Sequence, residues 1–271
     1  MEKMCHVLGV ARSGYYTWLK NKTSKRELDR KQLQAQIKKL FSENKDAYGS
    51  PRLAIILNKI GYKCSRQRVA RYMHELNLFA RKVKKYRVYK EDGDKYAQDL
   101  LNMNFTVDAP NKIWTTDITY IPTSEGWLYL TVFLDPFNRE IVGTSMVDNM
   151  FTTNTSMAAL QQALLRQKNP ENLIIHSDRG TQFTCKEFRN QLTKLKFIQS
   201  NSYSCYANAV TETFFKTLKT ELVYKHKFVT RKEAMLAIFE YIEVFYNKKR
   251  IHSTLGYLSP AEFKEQKMAT G

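Results

Sequence analysis

Trp114-Thr115-Thr116-Asp117-Ile118-Thr119-Tyr120-Ile121 is a run of aromatic and β-branched residues with one carboxylate near its centre. That composition predicts a strand over 113–121. An aspartate inside an apolar strand is costly to withdraw from water unless it pairs or meets a cation. Working outward, Ser124-Glu125-Gly126 reads as a turn into a second strand at 127–134, and Pro136-Phe137-Asn138 leads to a third at 140–147. The pattern then changes. A helix carrying Met157, Leu160, Ala163, Leu164 and Leu165 precedes a short apolar strand, Leu173-Ile174-Ile175. A helix over 185–196, a fifth strand at 197–199 and two long helices at 208–225 and 230–248 follow. Three strands and then alternating helix and strand describe an α/β domain with a mixed five-stranded sheet.

Charge divides the chain. The net charge is +18, and residues 1–90 hold 23 Lys and Arg against 6 Asp and Glu. The remaining 181 residues hold 21 against 20, close to neutrality. A basic third joined to a neutral remainder points to two domains, the first meeting a polyanion, most commonly nucleic acid. It speaks against a small-molecule enzyme of uniform surface and against an acidic interaction tail. Hydrophobic residues at 43%, with 13% aromatic, exclude a disordered chain. No apolar run has the length of a membrane span and no signal-peptide core is visible. Cys5, Cys64, Cys185 and Cys205 stand far apart, match no zinc spacing with the five histidines, and read as reduced thiols of a cytoplasmic protein.

Within the basic third, residues 1–25 form a helical segment broken by Gly9 and Gly14, and 27–45 a basic amphipathic helix. Ser50-Pro51 opens a helix that Gly61 ends, and Ser65 caps the next, whose Val69, Tyr72, Met73 and Leu76 face inward. Arg66, Gln67, Arg68 and Arg71 remain on its outer side. Helix, short turn and arginine-loaded helix form a helix-turn-helix pattern within 26–90, with 65–77 as recognition helix and Arg52 on the helix before it. Two amphipathic helices with solvated arginines are the plainer alternative. The run Arg81-Lys82-Val83-Lys84-Lys85-Tyr86-Arg87 favours DNA, with Lys84 and Lys85 as phosphate contacts. Residues 91–107 read as a linker to a core over 108–228, and 229–271 as its closing helix and tail.

Three acids stand out in the core. Asp117 lies in the first strand, Asp178 directly follows the fourth, and Glu212 sits on the helix beginning near Asn208. At 100° per residue Lys216 and Lys219 lie within about 40° and 20° of Glu212, so all three share a face. Singly, each acid has a plain reading: a buried pair, a turn cap, a surface charge. Together they offer a hard oxygen pocket for Mg²⁺ or Mn²⁺, of the kind that supports phosphoryl displacement on polynucleotides. Asp135 and Asp148 read as turn residues.

The segments Trp114–Ile121, Gly126-Trp127-Leu128-Tyr129-Leu130, His176-Ser177-Asp178-Arg179-Gly180-Thr181-Gln182-Phe183, Asn208-Ala209-Val210-Thr211-Glu212-Thr213-Phe214-Phe215 and Tyr246–Phe263 resemble, in this order, the second-frame transposase of the insertion-sequence-three family, close to its one-fifty subgroup. Tyr48-Gly49-Ser50-Pro51-Arg52 resembles that family's helix-turn-helix segment. The resemblance implies a ribonuclease H-like integrase core preceded by an all-α DNA-binding domain. It implies a catalytic, metal-binding triad at Asp117, Asp178 and Glu212. On this reading the acids hold two Mg²⁺ ions, for which Mn²⁺ substitutes, and Lys216, Lys219, Arg250 and His252 are candidate DNA contacts in the core, with capping or packing against the final helix the equal alternative for His252. It further implies a chain that begins inside a longer polypeptide, an upstream first-frame protein as fusion or partner, oligomerisation on the double-stranded DNA of element ends and target, and a bacterial cytoplasm near the nucleoid. Two features depart from the pattern. Asp178 and Glu212 are separated by 33 residues, a pair short of the family spacing, and Ala207 replaces an acid. These departures frame a second reading, a catalytically impaired copy that occupies element ends as a regulator. A ribonuclease H-like nuclease acting on RNA–DNA hybrids is a third.

Overall fold

The computed structural model describes residues 2–20, 24–80, 99–101, 107–168, 170–201 and 208–269. It divides into two compact units, Met1–Ala80 and Arg81–Gly271.

The first unit is all helical: α1 (Glu2–Val7), α2 (Arg12–Lys20), α3 (Lys25–Glu43), α4 (Ser50–Lys59) and α5 (Arg66–Glu75). Its core comes from α3, α4 and α5, through Leu33, Ile37, Phe41, Leu53, Leu57 and Val69, all at most 6% exposed. The sequence signals act as expected at both turns. Pro51 occupies the first turn of α4, where its missing N–H costs nothing. Gly61 takes φ +95°, which a side chain would resist, and lets the backbone leave α4. Ser65 Oγ accepts from the Arg68 N–H at 3.2 Å and caps α5.

The second unit is built on a five-stranded sheet of order β3-β2-β1-β4-β5. The strands are β1 (Ile113–Thr123), β2 (Gly126–Asp135), β3 (Glu140–Val147), β4 (Ile174–Ser177) and β5 (Ile198–Asn201). The first three form an antiparallel meander, while β4 and β5 run parallel to β1. The sheet is therefore mixed, as expected, with β1 at its centre. A π-helical turn (Thr153–Met157) leads into α6 (Ala158–Gln167), which packs on β3. A side chain at Gly143 would collide with the Ala159 carbonyl, so this glycine lets helix and strand meet closely. α7 (Thr181–Thr184) and α8 (Lys186–Lys194) connect β4 to β5. α6, α8 and the sheet enclose one apolar cluster that includes Trp114, Phe133, Leu160, Ala163, Phe183 and Phe188. Burying these six side chains contributes on the order of 10 kcal/mol before chain entropy is subtracted.

α9 (Ala209–Glu221) and α10 (Arg231–Glu240), the latter continued by a π-helical turn at Tyr241–Tyr246, follow. The chain closes with α11 (Pro260–Ala269), where only a tail was expected. Its start is a capping box: the Ser259 N–H donates to Glu262 Oε2 at 2.7 Å and the Glu262 N–H to Ser259 Oγ at 3.3 Å. Lys264 reaches Glu140 at 2.9 Å, and the Asn247 amide bonds both main-chain groups of Ile141 at 2.9 and 3.0 Å. These contacts fasten the C-terminal helices to β3. No helix among the described residues is long and apolar enough to cross a membrane.

Candidate active site and nucleic-acid interface

Strand register brings the first two acids together. Thr116 on β1 pairs with Ser177 on β4, so one further step along both parallel strands sets Asp117 beside Asp178. The third acid arrives on α9, which two buried hydrogen bonds dock onto β1. Asn208 Nδ2 donates to the Thr116 carbonyl at 2.9 Å, and Thr211 Oγ1 to Thr115 Oγ1 at 2.7 Å. Phe214, Phe215 and Leu218 fill the buried side of the helix, leaving Glu212, Lys216 and Lys219 on another.

The acids act on one another electrostatically. The Asp117 carboxyl is pushed up to about 7, first by burial and then by the negative charges of Asp178 and Glu212. A hydrogen bond from the Ile118 N–H at 2.7 Å and the charge of Lys219 pull the other way. Asp178 is also raised by withdrawal from water, against the Gly180 N–H that its Oδ1 accepts at 2.9 Å. The residue as a whole remains exposed to solvent. A Cβ at position 180 would stand 2.9 Å from that same oxygen, and glycine leaves the carboxylate its place. Burial lowers the Lys219 pKa while Asp117 raises it. Glu212 Oε2 accepts from Lys216 Nζ at 3.2 Å.

Among the described residues no three His, Cys, Asp or Glu side chains form a ready-made metal cage. Asp117, Asp178 and Glu212 share one electrostatic neighbourhood, each engaged by a donor of the chain. The donor set fits a hard divalent cation all the same: it is entirely carboxylate, and the repulsion that lifts Asp117 is what a cation relieves.

The expected DNA contacts fall into three groups. In the first unit Arg66, Gln67 and Arg71 are exposed on α5, and Arg68 is partly so. Arg52 Cζ lies 5.3 Å from the ring centroid of the buried Tyr48. Lys84 and Lys85 lie outside the described residues, as do residues 202–207 with Ala207. In the second unit Lys216 and Lys219 share the face of Glu212. Arg250 corrects an expectation. It is 6% exposed and forms a bidentate pair with Glu221, from Nη2 to Oε1 at 2.8 Å and from Nε to Oε2 at 3.0 Å. A guanidinium held that way is an internal tie, out of reach of a phosphate. His252 is half-buried and packs edge-on to Tyr246 with centroids 5.1 Å apart.

Residues 107–205 and 212–268 each match a family model described as an integrase core domain, and residues 27–86 match an HTH-like domain. The transposase InsF for insertion sequence IS3A from Escherichia coli (strain K12) is 38% identical over 99% of this chain and 95% of its own length. The chain belongs to the IS3 family of transposases. An insertion element IS600 protein of 31 kDa from Shigella sonnei, described as uncharacterized, is 40% identical over 97% of this chain and 98% of its own. These relatives carry the family and not the one-fifty subgroup. Solved retroviral structures superpose loosely: a simian T-cell lymphotropic virus intasome in complex with PP2A regulatory subunit B56 gamma gives a TM-score of 0.49 at 17% identity, covering 83% of this chain and 73% of that one. The HTLV-2 integrase catalytic core in complex with magnesium gives 0.44 at 18%, covering 57% and 97%.

This IS3-family chain is thus a DNA-binding transposase, a DDE-type polynucleotidyl transferase built on an integrase core. Matches over nearly the whole of both chains do not favour the regulator reading. Sequence reasoning missed the residues that position the transposase's acids. Asn201 Nδ2 donates to Ser177 Oγ at 3.0 Å and to the Asp178 carbonyl at 3.1 Å, holding the turn that carries Asp178. Asn208 and Thr211 dock α9. Their only sequence signal is that polar residues stand where an apolar face would be expected. Asp135 does serve a turn, accepting from the Asn111 and Phe137 N–H groups at 2.7 and 2.9 Å.

Proposed function

We propose that this transposase binds the ends of an insertion sequence through residues 26–90 and cuts and joins DNA strands at Asp117, Asp178 and Glu212. The reading is carried by the register that sets Asp117 beside Asp178, together with the two hydrogen bonds that dock α9 onto β1. The three carboxylates would hold two Mg²⁺ ions, or Mn²⁺ in their place. Such a pair, when bound, activates an attacking oxygen and stabilises the leaving oxygen of an in-line displacement. The nucleophile is water in cleavage and a 3′-hydroxyl in joining, and in each a phosphorus–oxygen bond forms as another breaks. Lys216 and Lys219, beside the acids, grip the phosphate backbone, and Lys219 also offsets the charge of Asp117. Arg52, Arg66, Gln67, Arg68, Arg71, Lys84 and Lys85 bind the element ends, and the core of 108–228 is completed by 229–271. The subunit works as an oligomer on element and target DNA in the bacterial cytoplasm, with a first-frame protein as fusion or partner.

Strand transfer on end-containing duplex in Mg²⁺ tests this directly. Wild type is expected to join strands and Asp178→Ala to fail, and equal behaviour of the two would refute the catalytic assignment. Thermal unfolding adds a readout apart from turnover: Mg²⁺ should stabilise wild type at pH 8 and leave Asp178→Ala nearly unmoved.

A further inference from the structure

α5 sorts its polar residues into two sets. At 100° per residue Arg66, Gln67, Ala70, Arg71 and His74 fall within one arc of about 140°. All five are exposed, while Val69, Tyr72 and Met73 fill a buried arc on the other side. Arg68 stands at the border. Its Nε donates to the Tyr72 hydroxyl at 3.3 Å, and its Cζ lies 5.5 Å from the Tyr72 ring centroid. Arg71 Cζ lies 5.3 Å from the same ring. Both guanidiniums therefore lean toward a buried tyrosine at the flank of the helix. Arg66 and Gln67 point outward from its first turn. The helix is held at both ends, by the Ser65 cap and by Glu75, whose Oε2 accepts from Arg30 at 3.0 Å and Gln34 at 2.8 Å. With Glu75 so occupied, no acid competes for DNA on the outward face.

A helix seated in the major groove presents its N-terminal residues to base edges, while its flanks face the two phosphate backbones. Gln67 carries a donor and an acceptor on one amide, the pair that matches the adenine N7 and N6 edge. Ala70, one turn further, offers a methyl of the kind that packs on the thymine methyl. Arg68 has only donors, and its tie to Tyr72 aims it sideways.

We infer that Gln67, supported by Ala70, reads an A·T step of the bound DNA, and that Arg68 and Arg71 clamp phosphates without contributing sequence preference. This rests on α5 being the recognition helix proposed above, and goes beyond it by assigning separate tasks to neighbouring residues.

The test is selection by the full chain from a pool of randomised duplexes, followed by affinity measurements across a salt series. Wild type should enrich a motif. Gln67→Ala should lose preference at one adenine of it by about 10-fold with the salt slope unchanged, and Gln67→Arg should move that preference toward guanine. Arg68→Ala should weaken binding to every duplex alike, keep the motif, and reduce the salt slope by about 1. An unchanged motif in Gln67→Ala, or an altered one in Arg68→Ala, overturns the division of labour while leaving α5 as the recognition helix. A wild type that enriches no motif overturns the recognition-helix reading itself, and this inference with it.

Discussion

Glu212 and Glu221 sit on the same helix, nine residues apart, and have opposite surroundings. Glu221 is 8% exposed and enclosed by Arg250, whose guanidinium it meets with both oxygens, and by the Tyr241 hydroxyl at 2.6 Å. That hydroxyl is pushed well above its ordinary range by burial and by the Glu221 charge, so it stays a donor. Glu212 has a side chain 28% exposed, a lysine at 3.2 Å, and the Asp117 carboxylate, itself coupled to Asp178, within electrostatic reach. At one end of α9 charge is fully compensated and serves the fold. At the other it is left in deficit, and a cation is what would complete it. A helix that holds Glu212 near another buried carboxylate gains from a firm anchor elsewhere, and the Glu221–Arg250–Tyr241 cluster supplies one.

The comparison breaks most visibly at the anchored end. Glu221→Ala would leave Arg250 buried without its partner and should destabilise the second unit by about 3–5 kcal/mol, read from denaturant unfolding. A loss below about 1 kcal/mol would mean that the cluster is not the anchor. At the open end the expectation reverses. Glu212→Gln should leave stability within about 0.5 kcal/mol of wild type, since an exposed pair contributes little. It should nonetheless slow strand transfer by at least about 10²-fold, equivalent to about 2.7 kcal/mol of barrier.

A third expectation concerns Asp117 and pH. Its folded pKa of about 7 lies above the ordinary 3.8, so the folded state holds the proton more tightly. The associated stability is fully present below about pH 4 and is lost as pH rises toward 7. Asp117→Asn should therefore stabilise the metal-free protein at pH 8, by about 2 kcal/mol once partial solvent access is allowed for, and flatten the stability profile between pH 4 and 7. A profile that keeps its slope in the variant would place the titration elsewhere, with Asp135, pushed up to about 6 by burial, the next group to replace. The smallest effect belongs to Lys216→Met, which removes an exposed pair one turn apart. It should cost at most about 0.5 kcal/mol of stability, while lowering DNA affinity and the salt slope.

Much of this was legible along the chain because it rests on local rules. Pro51, Gly61 and Ser65 mark helix ends by backbone chemistry that acts within four residues. The strand containing Asp117 declares itself by residue type, Asp117 stands out as a carboxylate among apolar residues, Asp178 by directly following a strand, and Glu212 by sharing a helix face with Lys216 and Lys219. α11 was missed although Ser259 and Glu262 spell its capping box, because the proline between them reads equally well as the end of structure. Arg250 was misassigned for a deeper reason. Its partner Glu221 lies 29 residues away and Tyr241 belongs to another turn, so nothing near Arg250 distinguishes a buried guanidinium from a DNA contact.

The sequence by itself determined the mixed α/β core, the basic helical domain before it, and the identity of three acids suited to a divalent cation. Those follow from periodicity, capping and charge, which are short-range properties of the chain. Only the tertiary structure decided which charges are spent internally and which stay available: Glu221 and Arg250 are spent on each other, Arg68 and Arg71 lean toward Tyr72 at the flank of α5 while Arg71 stays exposed, and Asp117 is set against Asp178 and Glu212. Charge acts through distance and burial, and both are set by contacts between residues far apart in sequence.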